Sequence, residues 1–243
     1  MADGRPLIRK LEAVEPLTQD EIERAIALCR SVKTVEKRSD VVSAGDQPEH
    51  VHIVLDGWAA RYTVRANGSR QFTAFLIPGD FCDIQVMSLD RLDHGIIALT
   101  DCVIAFVEKQ EMEELGHSTP GISRALERST LIDEAILRRW IVNVTSGDAL
   151  STVAHLLCEM HVRLRAVGLV DGNAFSLPLT QEELAEATGM TAVHMNRTLT
   201  RLRQEGLIEL QDRMLLITDV AALRELCGFD PNYLHLLADD AGP

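Results

Sequence analysis

The chain has 243 residues, 24 Lys+Arg against 37 Asp+Glu, a formal net charge of −13 and 46 % apolar residues. These are the proportions of a globular chain long enough for one large or two small domains with real cores. The charge excludes the polybasic, histone-like mode of nucleic-acid binding, but not binding through a local patch.

The first residues, Met1 to Leu7, hold no apolar run that could serve as a signal-peptide core. No stretch approaches the roughly 18 uncharged apolar residues of a membrane span, so a cytoplasmic location without membrane contact is expected. Five cysteines, Cys29, Cys82, Cys102, Cys158 and Cys227, form no CxxC pair. They read as reduced, half-buried core residues, and no metal or other cofactor is expected. A first helix is announced at Thr18, where Glu21 completes a capping box and Leu17 with Ile22 makes a staple.

From about residue 34 to 108 the period changes. Val51, Ile53 and Leu55 alternate with His50, His52, Val54 and Asp56, a half-buried strand closing at Gly57. Further strands run from Trp58 to Val64 and from Gln71 to Leu76, joined by a hairpin at Ala66-Asn67-Gly68-Ser69. Pro78-Gly79-Asp80 breaks the chain, and two more strands follow at Gly95–Thr100 and Cys102–Val107. Many short strands without intervening helices predict a small barrel or roll. From 120 to 145 a helix carries Ile122, Leu126, Ile132, Ile136 and Trp140 on one face. Beside a small barrel such a helix is a lid or a two-stranded coiled seam, and its flanking charges of mixed sign favour the seam. A second long helix, from Asp148 to about Val167, ends before a polar break at Asp171-Gly172-Asn173.

Residues 179–208 are the most informative. Thr180 caps, Glu183 closes a capping box, Leu184 and Ala185 give an apolar face, and Gly189 stops the helix. Thr191 caps a second helix whose expected buried side is Val193, Leu199 and Leu202. Two short helices about a tight glycine turn form a helix-turn-helix. Met190 to Gln204 holds three arginines, Arg197, Arg201 and Arg203, and no carboxylate. The second helix is therefore a positive island in an acidic chain, as insertion into a DNA groove requires. Leu207 to Leu210 and Met214 to Ile217, about a polar turn, predict a wing.

This order of parts resembles the cyclic-AMP receptor protein/Fnr family of bacterial transcription regulators. The resemblance spans about residues 35–220, with landmarks at Gly57, Gly68, Pro78-Gly79-Asp80-Phe81 and the stretch from Leu179 to Ile208. It implies an α+β fold: an N-terminal β-roll of the cyclic-nucleotide-binding, jelly-roll kind over 1–118, a long dimerisation helix over 119–145, and a C-terminal winged helix-turn-helix over 146–243. It implies a homodimer on a palindromic operator in double-stranded DNA, with RNA polymerase as a further partner and Ile122, Leu126, Ile132, Ile136 and Trp140 at the dimer interface. Thr191, Ala192, Val193, His194, Asn196 and Arg197 match positions facing DNA, with Thr180 at the entry of the motif. Arg197 is expected to contact guanine in bidentate fashion, Ala192 and Val193 a thymine methyl, and Thr200 and Arg201 phosphate.

The cyclic-nucleotide signature departs from the family pattern. Where the family has Gly-Glu-Leu and then Arg-Ser, this chain has Asp83-Ile84-Gln85 and His94-Gly95. Losing the arginine removes the charge-assisted bond a cyclic phosphate needs, and Asp83 adds a like charge. The expected pocket, Asp80, Phe81, Cys82, Asp83, Ile84, Gln85, His94 and Gly95, is thus left to an unidentified small-molecule effector other than cyclic AMP. Two rival readings remain. His50-Val51-His52 with Asp56 resembles half of a cupin metal motif, the mark of a metal-dependent oxygenase, although alternation turns both histidines outward. A DNA-independent interaction module is the other. No catalytic residue is expected.

Overall fold

A computed structural model describes residues 4–84, 88 and 90–237. The chain divides into two compact units between Leu131 and Ile132.

The N-terminal unit opens with α1 (Arg5–Glu12) and α2 (Gln19–Ala27). Of these, α1 has no counterpart in the expectations: only Leu7, Ile8 and Leu11 give it an apolar face, and they are buried. In α2 the capping box of Thr18 and Glu21 is present. Among the described residues seven strands follow: β1 (Val32–Val35), β2 (Asp40–Val42), β3 (His50–Asp56), β4 (Ala59–Val64), β5 (Arg70–Leu76), β6 (Gly95–Ala98) and β7 (Cys102–Glu108). They form two antiparallel sheets, β1-β7-β3 and β2-β6-β4-β5, the roll expected from the turn-punctuated sequence. Gly57 turns β3 into β4 with φ 83°, and a Cβ there would lie 2.4 Å from the Asp101 carbonyl oxygen. Only glycine fits that corner.

The alternation expected in β3 is corrected. Val51 to Leu55 are all buried, His52 included, because Asp80–Asp83 runs along the strand. The Val54 N–H donates to Asp80 O, and the Cys82 N–H to His52 O. His52 therefore points inward, where Asp83 receives both its backbone N–H (2.9 Å) and its ring Nδ1 (2.6 Å).

After α3 (Lys109–Ser118) comes α4 (Pro120–Ser146), the long helix expected from 120 to 145. Its first turns are held to the N-terminal segment. Glu21 accepts the Gly121 N–H at 2.7 Å, and Glu15 pairs with Arg124 (2.6 Å) and Arg128 (2.8 Å). The face expected to form the seam is a second correction. Ile122, Leu126, Ile132, Ile136 and Trp140 are each at most 8 % exposed within the single chain. The apolar residues α4 leaves exposed are Leu131, Leu137, Ile141, Val142 and Val144.

In the C-terminal unit α5 (Ala149–Ala166), capped by Asp148, is buried along nearly its whole length. Then come β8 (Val170–Asp171), β9 (Ala174–Ser176), α6 (Gln181–Thr188), α7 (Ala192–Gln204), β10 (Ile208–Gln211), β11 (Met214–Ile217) and α8 (Val220–Cys227). The wing is a four-stranded sheet, β10-β11-β9-β8, larger than the expected hairpin. A polar hub fixes the unit's centre. The fully buried Glu159 carboxylate accepts from Trp140 Nε1 (3.2 Å), Arg163 Nη1 (3.3 Å) and the Tyr233 hydroxyl (2.8 Å). No helix among the described residues is long and apolar enough to cross a membrane.

His155 lies next to this hub, edge-on to Phe229 at 4.9 Å and stacked on Tyr233 at 5.9 Å. Neither ring nitrogen has a hydrogen-bond partner among the described residues. Burial, and secondly the Arg139 charge, pull its pKa from 6.5 to about 4. Between those values the unfolded chain binds a proton that the folded chain refuses, so the stability present above pH 6.5 is lost as pH falls. Going from pH 7 to pH 5 should cost about 2 kcal/mol through this residue. Thermal unfolding of wild type and His155→Phe at both pH values checks this. The variant keeps the ring stack, and its pH dependence should be shallower; an unchanged dependence would contradict the assignment.

Candidate nucleic-acid interface

The helix-turn-helix is built by its caps. The Thr180 hydroxyl accepts the Glu183 N–H at 3.1 Å, and Glu183 returns by accepting the Thr180 N–H at 2.7 Å. Gly189 ends α6 with φ 69°, the left-handed conformation expected of it. Thr191 caps α7 by accepting the His194 N–H at 3.2 Å. Asn196 Nδ2 donates to Gln181 Oε1 at 2.9 Å, a side-chain tie between the two helices.

On α7 the buried face is Met195, Thr198, Leu199 and Leu202. Leu199 and Leu202 lie where they were expected, but Val193 is 63 % exposed and Met195 takes its place at 0 %. Met195, Leu199 and Leu202 are spaced 4 and 3, one helical face, whereas Val193 lies off that stripe. Val193 therefore stands with Thr191, His194, Asn196, Arg197 and Arg201 on the exposed side, and Ala192 and Thr200 are half-buried. A cleft between this side and the start of α5 is lined by Thr191, Val193, His194, Arg197 and Arg201, with Asp148 opposite.

The three arginines differ in what they already hold. Arg201 Nε is 2.7 Å from Glu205 Oε1, and Arg203 reaches the Leu199 carbonyl and the Thr200 hydroxyl. Arg197 has no side-chain partner among the described residues, so its full hydrogen-bonding fork is open. Asp148, whose carboxyl is held below the usual carboxylate range chiefly by the Ser151 N–H, is lowered further by Arg201.

The residues expected at an effector pocket are engaged with the protein. Asp80 accepts the Ile77 N–H at 2.9 Å and pairs with Lys10 at 2.8 Å. Phe81 bridges to Ile53, and the Cys82 carbonyl accepts from Arg61 Nη2 at 2.9 Å. Asp83 is committed to His52, and His94 Nδ1 lies 2.6 Å from Asp93 Oδ1. A Cβ on Gly95 would meet the Tyr62 ring within 2.6 Å. Ile84 is half-buried, and Gln85 lies outside the described residues. Arg61, which reaches this segment from β4, was missed in the sequence because strand alternation says nothing of which loop a side chain meets. The half-cupin histidines hold different carboxylates: His50 reaches Glu108 at 3.0 Å, and His52 reaches Asp83.

A family model described as a Crp-like helix-turn-helix domain matches residues 152–226, and one described as a cyclic nucleotide-binding domain matches residues 32–118. The transcriptional activator protein FnrL of Cereibacter sphaeroides is 29 % identical over 194 residues, covering 78 % of this chain and 77 % of its own. The nitrogen fixation regulation protein FixK of Rhizobium meliloti is 25 % identical over 202 residues, covering 82 % and 88 %. The solved structure of FixK2 from Bradyrhizobium japonicum superposes with a TM-score of 0.73 at 21 % identity, over 81 % of this chain and 96 % of that one.

The exchange of Val193 for Met195 in the core of α7 has a direct test. Met195→Ala should destabilise the C-terminal unit by about 2–4 kcal/mol, and Val193→Ala by less than about 0.5 kcal/mol. Urea unfolding of the two variants reads the difference; equal losses would return Val193 to the core.

Proposed function

The chain belongs to the Crp/Fnr family of transcription regulators, and from that premise we propose a sequence-specific regulator that binds a two-fold symmetric operator as a homodimer, with α7 in the major groove. The observation that carries this is the outward side of α7. It presents Val193, His194 and an uncommitted Arg197 together, on a helix with three arginines and no carboxylate. Arg197 is assigned the bidentate contact to guanine, and Val193 and Ala192 the apolar contact to a thymine methyl. Thr191, His194 and Asn196 supply polar contacts, Thr200 and Arg201 hold phosphate, and Thr180 fixes the entry to α6. In the dimer the two recognition helices lie about 34 Å apart, one turn of DNA.

The dimer seam is assigned to the exposed stripe of α4, not to the face buried within the chain. Leu137, Ile141 and Val144 are spaced 4 and 3, the coiled-coil interval, and all are exposed. We assign 1–118 to a sensory roll, 119–145 to the dimerisation helix and 146–243 to DNA binding. RNA polymerase is the expected partner at a promoter, and the cytoplasm the expected location. The regulator reading leaves no catalytic step to assign. The roll's effector is taken to be other than a cyclic nucleotide: Ile84 and the His94-Gly95 pair stand where that ligand's glutamate and arginine-serine would be needed, and the buried Asp83 beside Ile84 is bonded to His52.

Binding-site selection with random duplexes should return a palindrome. On it, Arg197→Ala is expected to lose about 1–3 kcal/mol and to relax preference at one base pair in each half-site. Uniform weakening over all sequences would make Arg197 a phosphate contact, and selection of no sequence at all would end the regulator reading. In sedimentation, Ile141→Asp should give folded monomers, because each charge would be unpaired in a helix interface. A dimer untouched by that change would place the seam elsewhere.

A further inference from the structure

The division of the chain between Leu131 and Ile132 puts the second half of α4 in one compact unit with α5 to α8. The exposed stripe of Leu137, Ile141 and Val144 and the outward side of α7 therefore belong to the same unit. Several contacts hold α4 in place there. Trp140 Nε1 donates to the Glu159 carboxylate of α5 at 3.2 Å, and the Asn143 carbonyl accepts the Thr152 hydroxyl of α5 at 3.0 Å. The Arg139 guanidinium lies over the Tyr233 ring, 5.4 Å from its centre, and the Tyr233 hydroxyl donates to Glu159 at 2.8 Å. At the end of α4, Asn143 and Val144 share a small cavity with Thr152 and His155 of α5 and Ala187 and Thr188 of α6. A Cβ on Gly189, the turn between α6 and α7, would lie 3.5 Å from Val144 Cγ1. The turn of the helix-turn-helix thus abuts the residue that ends the exposed stripe.

These contacts differ in strength. Glu159 is fully buried and Trp140 nearly so, and a hydrogen bond to a charge out of water is strong. The Thr152 hydroxyl is also 2.9 Å from the Asp148 carbonyl, so its bond to α4 is shared. Tyr233 belongs to the short helix Pro231–Leu234, which brings the C-terminal segment to the same carboxylate. Glu159 therefore gathers α4, α5 and the end of the chain at one point.

We propose, resting on the dimer through the exposed stripe of α4, that Trp140, Glu159 and Tyr233 are positioning residues that set the half-site spacing the protein accepts. A two-fold seam uses the same patch on both copies, so the symmetry axis runs along that stripe. The distance of α7 from the axis then depends on how its own unit holds α4. Any slip of α4 against α5 displaces both recognition helices, and their separation changes by twice the movement of one. DNA resolves such errors finely, because one added base pair moves a half-site by about 3.4 Å and turns it by about 35°. The three residues need touch no base to select among operators. They select by spacing, while the outward side of α7 selects by sequence.

The test uses the full chain and the palindrome that the wild type selects, with its half-sites moved one base pair closer or one base pair apart. Fluorescence anisotropy titrations on the three duplexes, at concentrations where sedimentation shows a dimer, give each protein a spacing penalty. The wild type should lose about tenfold in affinity for either change, the scale of one mismatched base pair. Trp140→Phe keeps an aromatic ring and removes the donor to Glu159; its penalty should shrink to a few-fold, with base preference inside each half-site unchanged. Tyr233→Phe keeps the ring under Arg139 and removes the hydroxyl, and should shrink the penalty less. It carries the test alone should Trp140→Phe not fold. A penalty as steep as the wild type's in the folded variants, including an affinity loss equal at all three spacings, would overturn the proposal, because the three residues would then only support the fold. A wild type indifferent to spacing would overturn it too. Selection of no palindrome by the wild type would end the regulator reading and this proposal with it, a failure visible before any variant is made.

Discussion

The buried carboxylate of Glu159 sets the rotation of the second half of α4. A charge fully out of water is costly unless it is paired and its lone pairs are filled, and removing one partner of such a group typically costs several kcal/mol. Glu159 is satisfied only with Trp140 drawn to it alongside Arg163 and Tyr233. With Trp140 inward, Ile136 and Ile132, one and two turns earlier, lie inward as well. The next residue round the helix, about 100° away, then begins the exposed line of Leu137, Ile141 and Val144. A single polar hub thus decides which apolar stripe of a long helix the chain keeps and which it offers.

The same economy is visible on α7. A short helix has room for one buried stripe, and Met195, Leu199 and Leu202 fill it. Val193 is released to the outside beside Arg197, giving an apolar contact surface next to an open guanidinium. Asn196 is bonded to Gln181, so the polar side chains of this face are partly pre-oriented before any nucleic acid arrives. In the N-terminal unit the opposite holds. Asp80, Cys82, Asp83 and His94 are tied to Lys10, Arg61, His52 and Asp93, and the segment resembling a ligand site works as a latch on β3.

What the sequence displayed was whatever depends on local chemistry. The capping boxes of Thr18 and Thr180, the left-handed Gly189, the cap at Thr191 and the Asn67-Gly68 hairpin each act within a few residues, and all are present. What it hid depends on partners far along the chain. His52 looked outward because period-2 alternation assumes one solvated face, and the cover supplied by Asp80–Asp83 lies about thirty residues on. The face of α4 was misjudged because Trp140 and Ile136 mark an apolar stripe whether its cover is another chain or its own. Of the short edge strands, β1 is too exposed and β2 too short to show a period, and both went unread.

The ion pair between Arg201 and Glu205 bears on the thermodynamics of DNA association. An arginine whose charge is solvated by mobile anions and water gives up small ions to bulk when it meets a phosphate, and that release makes affinity fall with salt. Arg201 carries its anion on the same helix, one turn away. A phosphate taking that place displaces a tethered carboxylate, which stays behind and must be rehydrated within reach of the DNA. If Arg201 holds phosphate as proposed, the exchange would liberate fewer mobile ions, and the salt dependence of binding would report fewer ionic contacts than the helix has arginines. The pair lies exposed on the helix surface, where such a bond is worth about 0.3–0.5 kcal/mol, so the tether would flatten the salt slope far more than it would oppose the contact itself.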